Sequence, residues 1–200
     1  MTTKPIVVTS GETQRPEPMS RGGLIATLGP IRQIAWLTED LEASIAQWQR
    51  IAGVGPWDLF RNLKLVGSYR GAPVTITFDG AFSYQDGVQI EIIRPHGSGP
   101  SPYHDEKGRV RVGMHHIAWL VEDIATATDR ARADGLQLLV EGEGDGPTRI
   151  AYLQAPDDPA MLFEMIEATP LALNTFESGA AASRTWDGIS RGLELDFGAG

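Results

Sequence analysis

The chain of 200 residues has no cysteine, which excludes disulfides and thiolate metal sites while leaving the compartment open. It is also short of cations. Lys and Arg number 17 against 26 Asp and Glu, giving a formal net charge of -9 and a pI near 4.9. Nucleic acid and anionic membrane surfaces both require a basic face, so neither is expected as a partner and a small molecule is. No apolar run is long enough to span a bilayer, and residues 1–18 lack the apolar core of a secretion signal. A cytoplasmic protein is expected. The apolar share, 42%, suffices for a sizeable core, and the length suits one compact domain or two small fused modules.

Two stretches read almost alike and lie 83 positions apart: Gln33-Ile-Ala-Trp-Leu-Thr-Glu-Asp-Leu41 and His116-Ile-Ala-Trp-Leu-Val-Glu-Asp-Ile124. Each begins a strand-like run. Asp40 then caps a helix ending at Gly53, and Asp123 one ending at Gly135. Short β-type runs follow: Leu63 to Tyr69, Val74 to Phe78 and Val88 to Arg94, then Leu136 to Glu141, Arg149 to Leu153 and Met161 to Ile166. Each half is thus β-α-β-β-β. The turn formers from Pro95 to Pro102 separate them. The organisation expected is a mobile arm over 1–23, a first module over 24–95, a linker over 96–110, a second module over 111–168 and a C-terminal extension over 169–200. That extension is expected to be helical near Ala180 to Trp186 and to cover a surface or reach a second subunit.

Strand alternation puts Gln89 and Glu91 on one face of Val88-Gln-Ile-Glu-Ile-Ile93, opposite Val88, Ile90 and Ile92. In the matching run of the second half, Glu164 is the single acid between apolar residues. A buried, unpaired carboxylate is costly, and metal coordination is one of the few arrangements that stabilises it. Gln33, Glu91, His116 and Glu164 therefore give one ligand-capable side chain from the first and last strand of each module. Oxygen and imidazole donors suit one divalent ion of zinc, nickel, cobalt, manganese or iron. Trp36 and Trp119 are expected in the core, packing sheet on helix. His96 and His104 are expected at the surface of the linker, and Arg61, Arg70, Arg94, Arg109, Arg111 and Arg149 are candidates to hold an anionic substrate group.

The two strand openings, the Gly53-Val-Gly-Pro-Trp57 turn, the Val88 to Pro95 strand and Ser101-Pro-Tyr103 together resemble the vicinal oxygen chelate superfamily, in its glyoxalase I and methylmalonyl-CoA epimerase branch. The resemblance covers roughly Gly29 to Glu167. It implies an α+β fold, two modules pairing into a cupped mixed sheet with helices outside, around one divalent metal held by Gln33, Glu91, His116 and Glu164. His116 is the ligand of the adjacent pair because it matches Gln33 in the repeat, with His115 facing the other way. The implied activity is proton transfer next to a carbonyl through a metal-stabilised enolate or enediolate, by an epimerase, isomerase or glyoxalase-like lyase. Glu164 is the first candidate for general base and Glu91 the second. A non-haem iron ring-cleaving dioxygenase ranks lower, because Gln33 stands where that class wants a second His. A metal-free binding protein of the resistance type is the other alternative. Cupped sheets leave apolar edges, so a homodimer is expected.

Overall fold

The computed structural model describes residues 27–145 and 148–198; the arm expected over 1–23 lies outside the described residues. Each half opens as its sequence dictates. The alternating β1 (Gln33–Leu37) leads into α1 (Leu41–Ala52). The carboxylate of its N-cap Asp40 accepts the Ala43 N–H, and Gly53 ends it in the left-handed conformation at φ 64°. In the second half β5 (Gly113–Val121) leads into α2 (Ile124–Ala133), where Asp123 accepts the N–H groups of Ala125 and Thr126. After α1 come β2 (Asp58–Tyr69), β3 (Ala72–Gln85) and β4 (Val88–Pro95). After α2 come β6 (Gln137–Gly144), β7 (Thr148–Ala155) and β8 (Asp158–Glu167). The first hairpin is longer than its β-type runs suggest, because β2 and β3 stay paired from Asp58 opposite Phe82 to Tyr69 opposite Ala72.

The eight strands form one mixed sheet in the order β3-β4-β1-β5-β8-β7-β6-β2. β1 runs parallel to β4 and β5 parallel to β8, while β1 and β5 meet antiparallel where the two halves join. β2 pairs with β6 as well as with β3, so the cup closes on itself. The sheet edges on which a dimer was argued are thereby paired within one chain.

Helices α1 and α2 cover the outside. Leu41 packs on Ile90 and Ile92, with Trp36 and Trp48 edge to face at 4.9 Å. Ile124, Ala127 and Ala131 pack on Ala151, Leu153 and Met165. Burial of each large aliphatic side chain stabilises by roughly 1.5–3 kcal/mol. Trp119 is buried, as expected, but its ring lies beside Phe163 at 6.2 Å. In the linker His104 is buried rather than exposed, its Nδ1 lying 2.8 Å from Ser101 Oγ, because the segment Ser101 to His104 folds inward.

The C-terminal extension departs further from expectation. Its helix α3 runs Pro170–Arg184, starting earlier than Ala180 because Thr169 caps the Ala172 N–H and Pro170 stands in the first turn, where its missing N–H is no loss. Ala172, Phe176 and Ala180 pack with Tyr84, Ala118 and Ile166. The chain then returns as β9 (Glu194–Asp196), parallel to the first part of β2. The extension thus covers a surface of its own chain. Among the described residues no helix is long and apolar enough to cross a membrane.

Candidate metal centre

Gln33 on β1, Glu91 on β4, His116 on β5 and Glu164 on β8 come together on four adjacent strands. His116 Nε2 lies 2.9 Å from Glu164 Oε2, 3.0 Å from Gln33 Oε1 and 3.4 Å from Glu91 Oε2. All four side chains are buried. The register explains the convergence: Ala35 pairs with Glu91 on one side and His116 on the other, and Ala118 pairs with Glu164. The two carboxylates therefore flank the Gln33 and His116 pair from opposite sides.

One ring nitrogen carries at most one hydrogen, yet three oxygens converge on His116 Nε2. Burial disfavours the imidazolium, but the charge and hydrogen bonds of Glu164 and Glu91 outweigh it and push His116 up to about 9. Glu91 is raised as well, chiefly by burial, against the pull of His116. Positive charge is thus favoured where the four donors meet. A divalent cation answers that demand for every oxygen at once, whereas a proton answers it for one. Glu91, His116 and Glu164 offer ligand atoms within 4.8 Å of one another, and the amide oxygen of Gln33 completes a hard oxygen and imidazole set.

His115 does not face away. β5 bulges against β1, with Ala35 opposite His116 and Trp36 opposite Met114, so the strict alternation that sends neighbours to opposite faces is broken at His115. Its Nδ1 lies 2.8 Å from His116 Nδ1, and its Nε2 lies 3.3 Å from the Pro102 carbonyl oxygen. Burial and the adjacent His116 hold His115 well below the usual histidine range, so it is neutral. Its Nε2–H then donates to Pro102 and its Nδ1 accepts the His116 Nδ1–H, so that a cation replacing the Nε2 proton would meet the His116 Nε2 lone pair. That is the tautomer a metal requires.

A cavity of about 460 Å³ opens over Gln33, Glu91 and Glu164. Phe82 stands opposite Glu91 and Tyr152 opposite Glu164, so each carboxylate has an aromatic neighbour on the next strand. Four contributors, Gln89, Tyr84, Tyr103 and Tyr152, were given no site role from sequence. Gln89 accepts from Gln33 Nε2 at 2.6 Å and donates to the Tyr84 hydroxyl at 2.5 Å, and Tyr84 donates to the Thr175 carbonyl at 3.2 Å. This chain turns the Gln33 oxygen toward His116 and ties it to α3. Tyr103 and Tyr152, their hydroxyls 3.3 Å apart, enclose the His115 ring, and burial raises both phenols. The alternation that singled out Gln89 as a polar neighbour of Glu91 was the one usable signal. None of the arginines considered for an anionic group lines this cavity: Arg61, Arg94, Arg109 and Arg149 are ion-paired to carboxylates, Arg111 donates to the His104 carbonyl and Arg70 lies over Tyr69.

The family described as Glyoxalase/Bleomycin resistance protein/Dioxygenase superfamily has a model that matches residues 32–152. An ethylmalonyl-CoA/methylmalonyl-CoA epimerase of Cereibacter sphaeroides is 32% identical over 145 residues, covering 69% of this chain and 97% of that protein. Among solved structures, a methylmalonyl-CoA epimerase from Mycobacterium tuberculosis is 19% identical with a TM-score of 0.49, over 72% of this chain and 91% of that one. A hypothetical protein from Bacillus halodurans is 17% identical with a TM-score of 0.49, over 70% of this chain and 94% of that one.

Proposed function

The chain belongs to the glyoxalase/bleomycin resistance/dioxygenase superfamily, and from that premise we propose that it is a divalent-metal-dependent enzyme moving a proton next to a carbonyl, of the epimerase or isomerase type. The observation that carries the reading is the convergence of Gln33, Glu91 and Glu164 oxygens on His116 Nε2 at the floor of a cavity. The curated epimerase relative supports the same reaction type. One imidazole, one amide and two carboxylates do not match the two-His, one-carboxylate face of iron oxygenases, which keeps the dioxygenase reading below.

A bound divalent ion supplies Lewis acidity to a carbonyl oxygen and stabilises the negative charge that develops when the adjacent C–H bond breaks. The chain's own residues do the rest. Glu164 accepts the proton from the substrate carbon, and Glu91, on the other flank of His116, holds a proton for return from the opposite side. Gln33, fixed by Gln89 and Tyr84, and His116, fixed by His115, keep the donor set from rearranging as the proton moves.

The test is solvent deuterium uptake followed by NMR, with methylmalonyl-CoA and 2-hydroxyacetophenone as probes and the zinc-, nickel-, cobalt-, manganese- or iron-loaded full chain. Exchange above buffer with at least one probe, lowered by roughly 100- to 10,000-fold in Glu164→Gln and abolished by chelation, is expected. Equal rates in the unaltered chain, the variant and buffer would overturn the proposal.

A further inference from the structure

The curated relative acts on malonyl-type substrates by name, yet the cavity of this chain has a different character beyond the four convergent donors. Phe60, Phe78 and Phe82 line it from β2 and β3. The charged residues among the described lining are Asp58, Glu91, Asp145 and Glu164, all acids, and no Lys or Arg joins them. Asp58 and Asp145 are occupied in accepting the backbone N–H groups of Leu193 and Lys64. A carboxylate or phosphate beyond the reacting centre would therefore meet like charge, neutral polar groups and apolar surface, with no cation among the described lining to pair it. An uncharged ring would meet aromatic edges and faces.

The C-terminal extension completes this lining. Phe176 of α3 and Leu195 and Phe197 at β9 line the same cavity, and the last two are 43% and 42% exposed, an apolar rim open to solvent. The rim is held in place by specific contacts: Asn62 donates to Asp196, Arg61 pairs with Glu194, and the Phe197 N–H donates to the Arg61 carbonyl. These anchor points fall at the bulge of β2, where Asn62 adopts φ 55°. Apolar residues that stay at a cavity mouth under such anchoring present a surface for an apolar ligand.

We infer that the substrate of this site carries an uncharged aryl or fused alicyclic group next to its reacting carbonyl, and that residues 170–198 complete the wall that selects it. The inference rests on the metal-centred reading above. A volume of about 460 Å³, at ~30 Å³ per water-sized group, holds roughly 15 non-hydrogen atoms, about a two-ring carbonyl compound.

The experiment separates the two readings. Three hydroxamates with the same pair of chelating oxygens are titrated calorimetrically into the zinc-loaded and the metal-free full chain: acetohydroxamate, the monohydroxamate of succinate, and 2-naphthohydroxamate. The zinc-loaded chain is expected to bind the naphthyl compound about 10- to 100-fold more tightly than the acetyl one, from burial of the rings. The succinyl compound is expected to bind no better than the acetyl one. The double substitution Leu195→Ala with Phe197→Ala is expected to bring the naphthyl-to-acetyl ratio down severalfold. Equal metal-dependent affinity for all three, or preference for the succinyl compound, would overturn the substrate inference and leave the metal reading standing. A naphthyl preference that is the same with and without zinc would support the wall and overturn the metal reading.

Discussion

If Gln33, Glu91, His116 and Glu164 form one cation site, then metal binding and folding stability are linked, because the site is assembled from four strands and does not exist in the unfolded chain. A cation at 100 times its dissociation constant stabilises by about 2.7 kcal/mol. For a chain of this length each kcal/mol moves the midpoint of thermal unfolding by roughly 2–4 °C, so a rise of about 5–11 °C is expected. Glu164→Gln keeps the size of the side chain and removes its charge, 2.9 Å from His116 Nε2. Loss of an outer partner of a metal ligand costs about 10- to 100-fold in affinity, so loss of a charged ligand is taken here as at least 100-fold. At the same metal concentration the stabilisation then falls to about 0.4 kcal/mol, or roughly 1–2 °C. The assay is differential scanning calorimetry of the unaltered chain, Glu164→Gln, His116→Ala and the exposed control Glu122→Gln, each with chelator and with added zinc, nickel, cobalt, manganese or ferrous iron. The variants will differ in metal-free stability; the quantity read is the increment that metal adds. An increment undiminished in both site variants, or absent for every ion in the unaltered chain, would refute the assignment.

Three other outcomes follow from particular contacts. His115→Ala leaves all four donors in place but removes the acceptor of the His116 Nδ1–H, so metal affinity should fall about 10- to 100-fold in a chelator competition; unchanged affinity would reject the orienting role. Gly179 lies in α3, where Gly→Ala ordinarily helps by about 1 kcal/mol, but a Cβ there would overlap the Tyr84 ring, so Gly179→Ala should lower the unfolding midpoint through overpacking of about 1–3 kcal/mol, and a rise would sink the argument. For Asp79, burial raises the carboxyl, but the Asn62 N–H, Arg94 and His96 outweigh burial and hold it below its ordinary value. A carboxylate lowered in the folded state contributes stability above its unfolded pKa and loses it as pH falls through the folded value. Asp79→Asn should therefore cost about 1–3 kcal/mol at pH 7 by urea unfolding, and the gap should close below about pH 4; an equal cost at pH 7 and pH 3 would exclude the ionic account.

The donor set was legible because strand alternation is local and the chain repeats it. In Val88 to Ile93 and in Met161 to Ile166 a period of two is enough to separate an acid from its apolar neighbours, and the 83-residue spacing aligns Gln33 with His116 without any knowledge of the fold. The same rule misplaced His115. A bulge depends on which partner strand is adjacent and in what register, and β1 and β5 meet across more than 80 residues of chain. Gln89 shows the middle case: alternation placed it on the right face, while its use as the support of Gln33 depends on the pairing of Gln33 with Gln89 between β1 and β4.

The extension was the least legible part, and the reason bears on function. On α3 the residues Ala172, Phe176 and Ala180 fall on one face at helical spacing, whereas Leu195 and Phe197 reach the cavity only because β9 pairs with β2 beside the bulge at Asn62. The second contact has no local signature. The four convergent residues lie on strands inside the repeat, whose alternation and register constrain them together. The wall lies partly on a segment outside the repeat, held by the pairing of β9 with β2 and by contacts at Asp58, Arg61 and Asn62. Leu195 and Phe197, unlike Phe176, which packs on Tyr84, can change without touching the chain of contacts that supports Gln33. Under the proposed function, reaction type and substrate choice would be carried by different parts of the chain, and a relative that shares the four convergent residues' strands would be a guide to the first and not to the second.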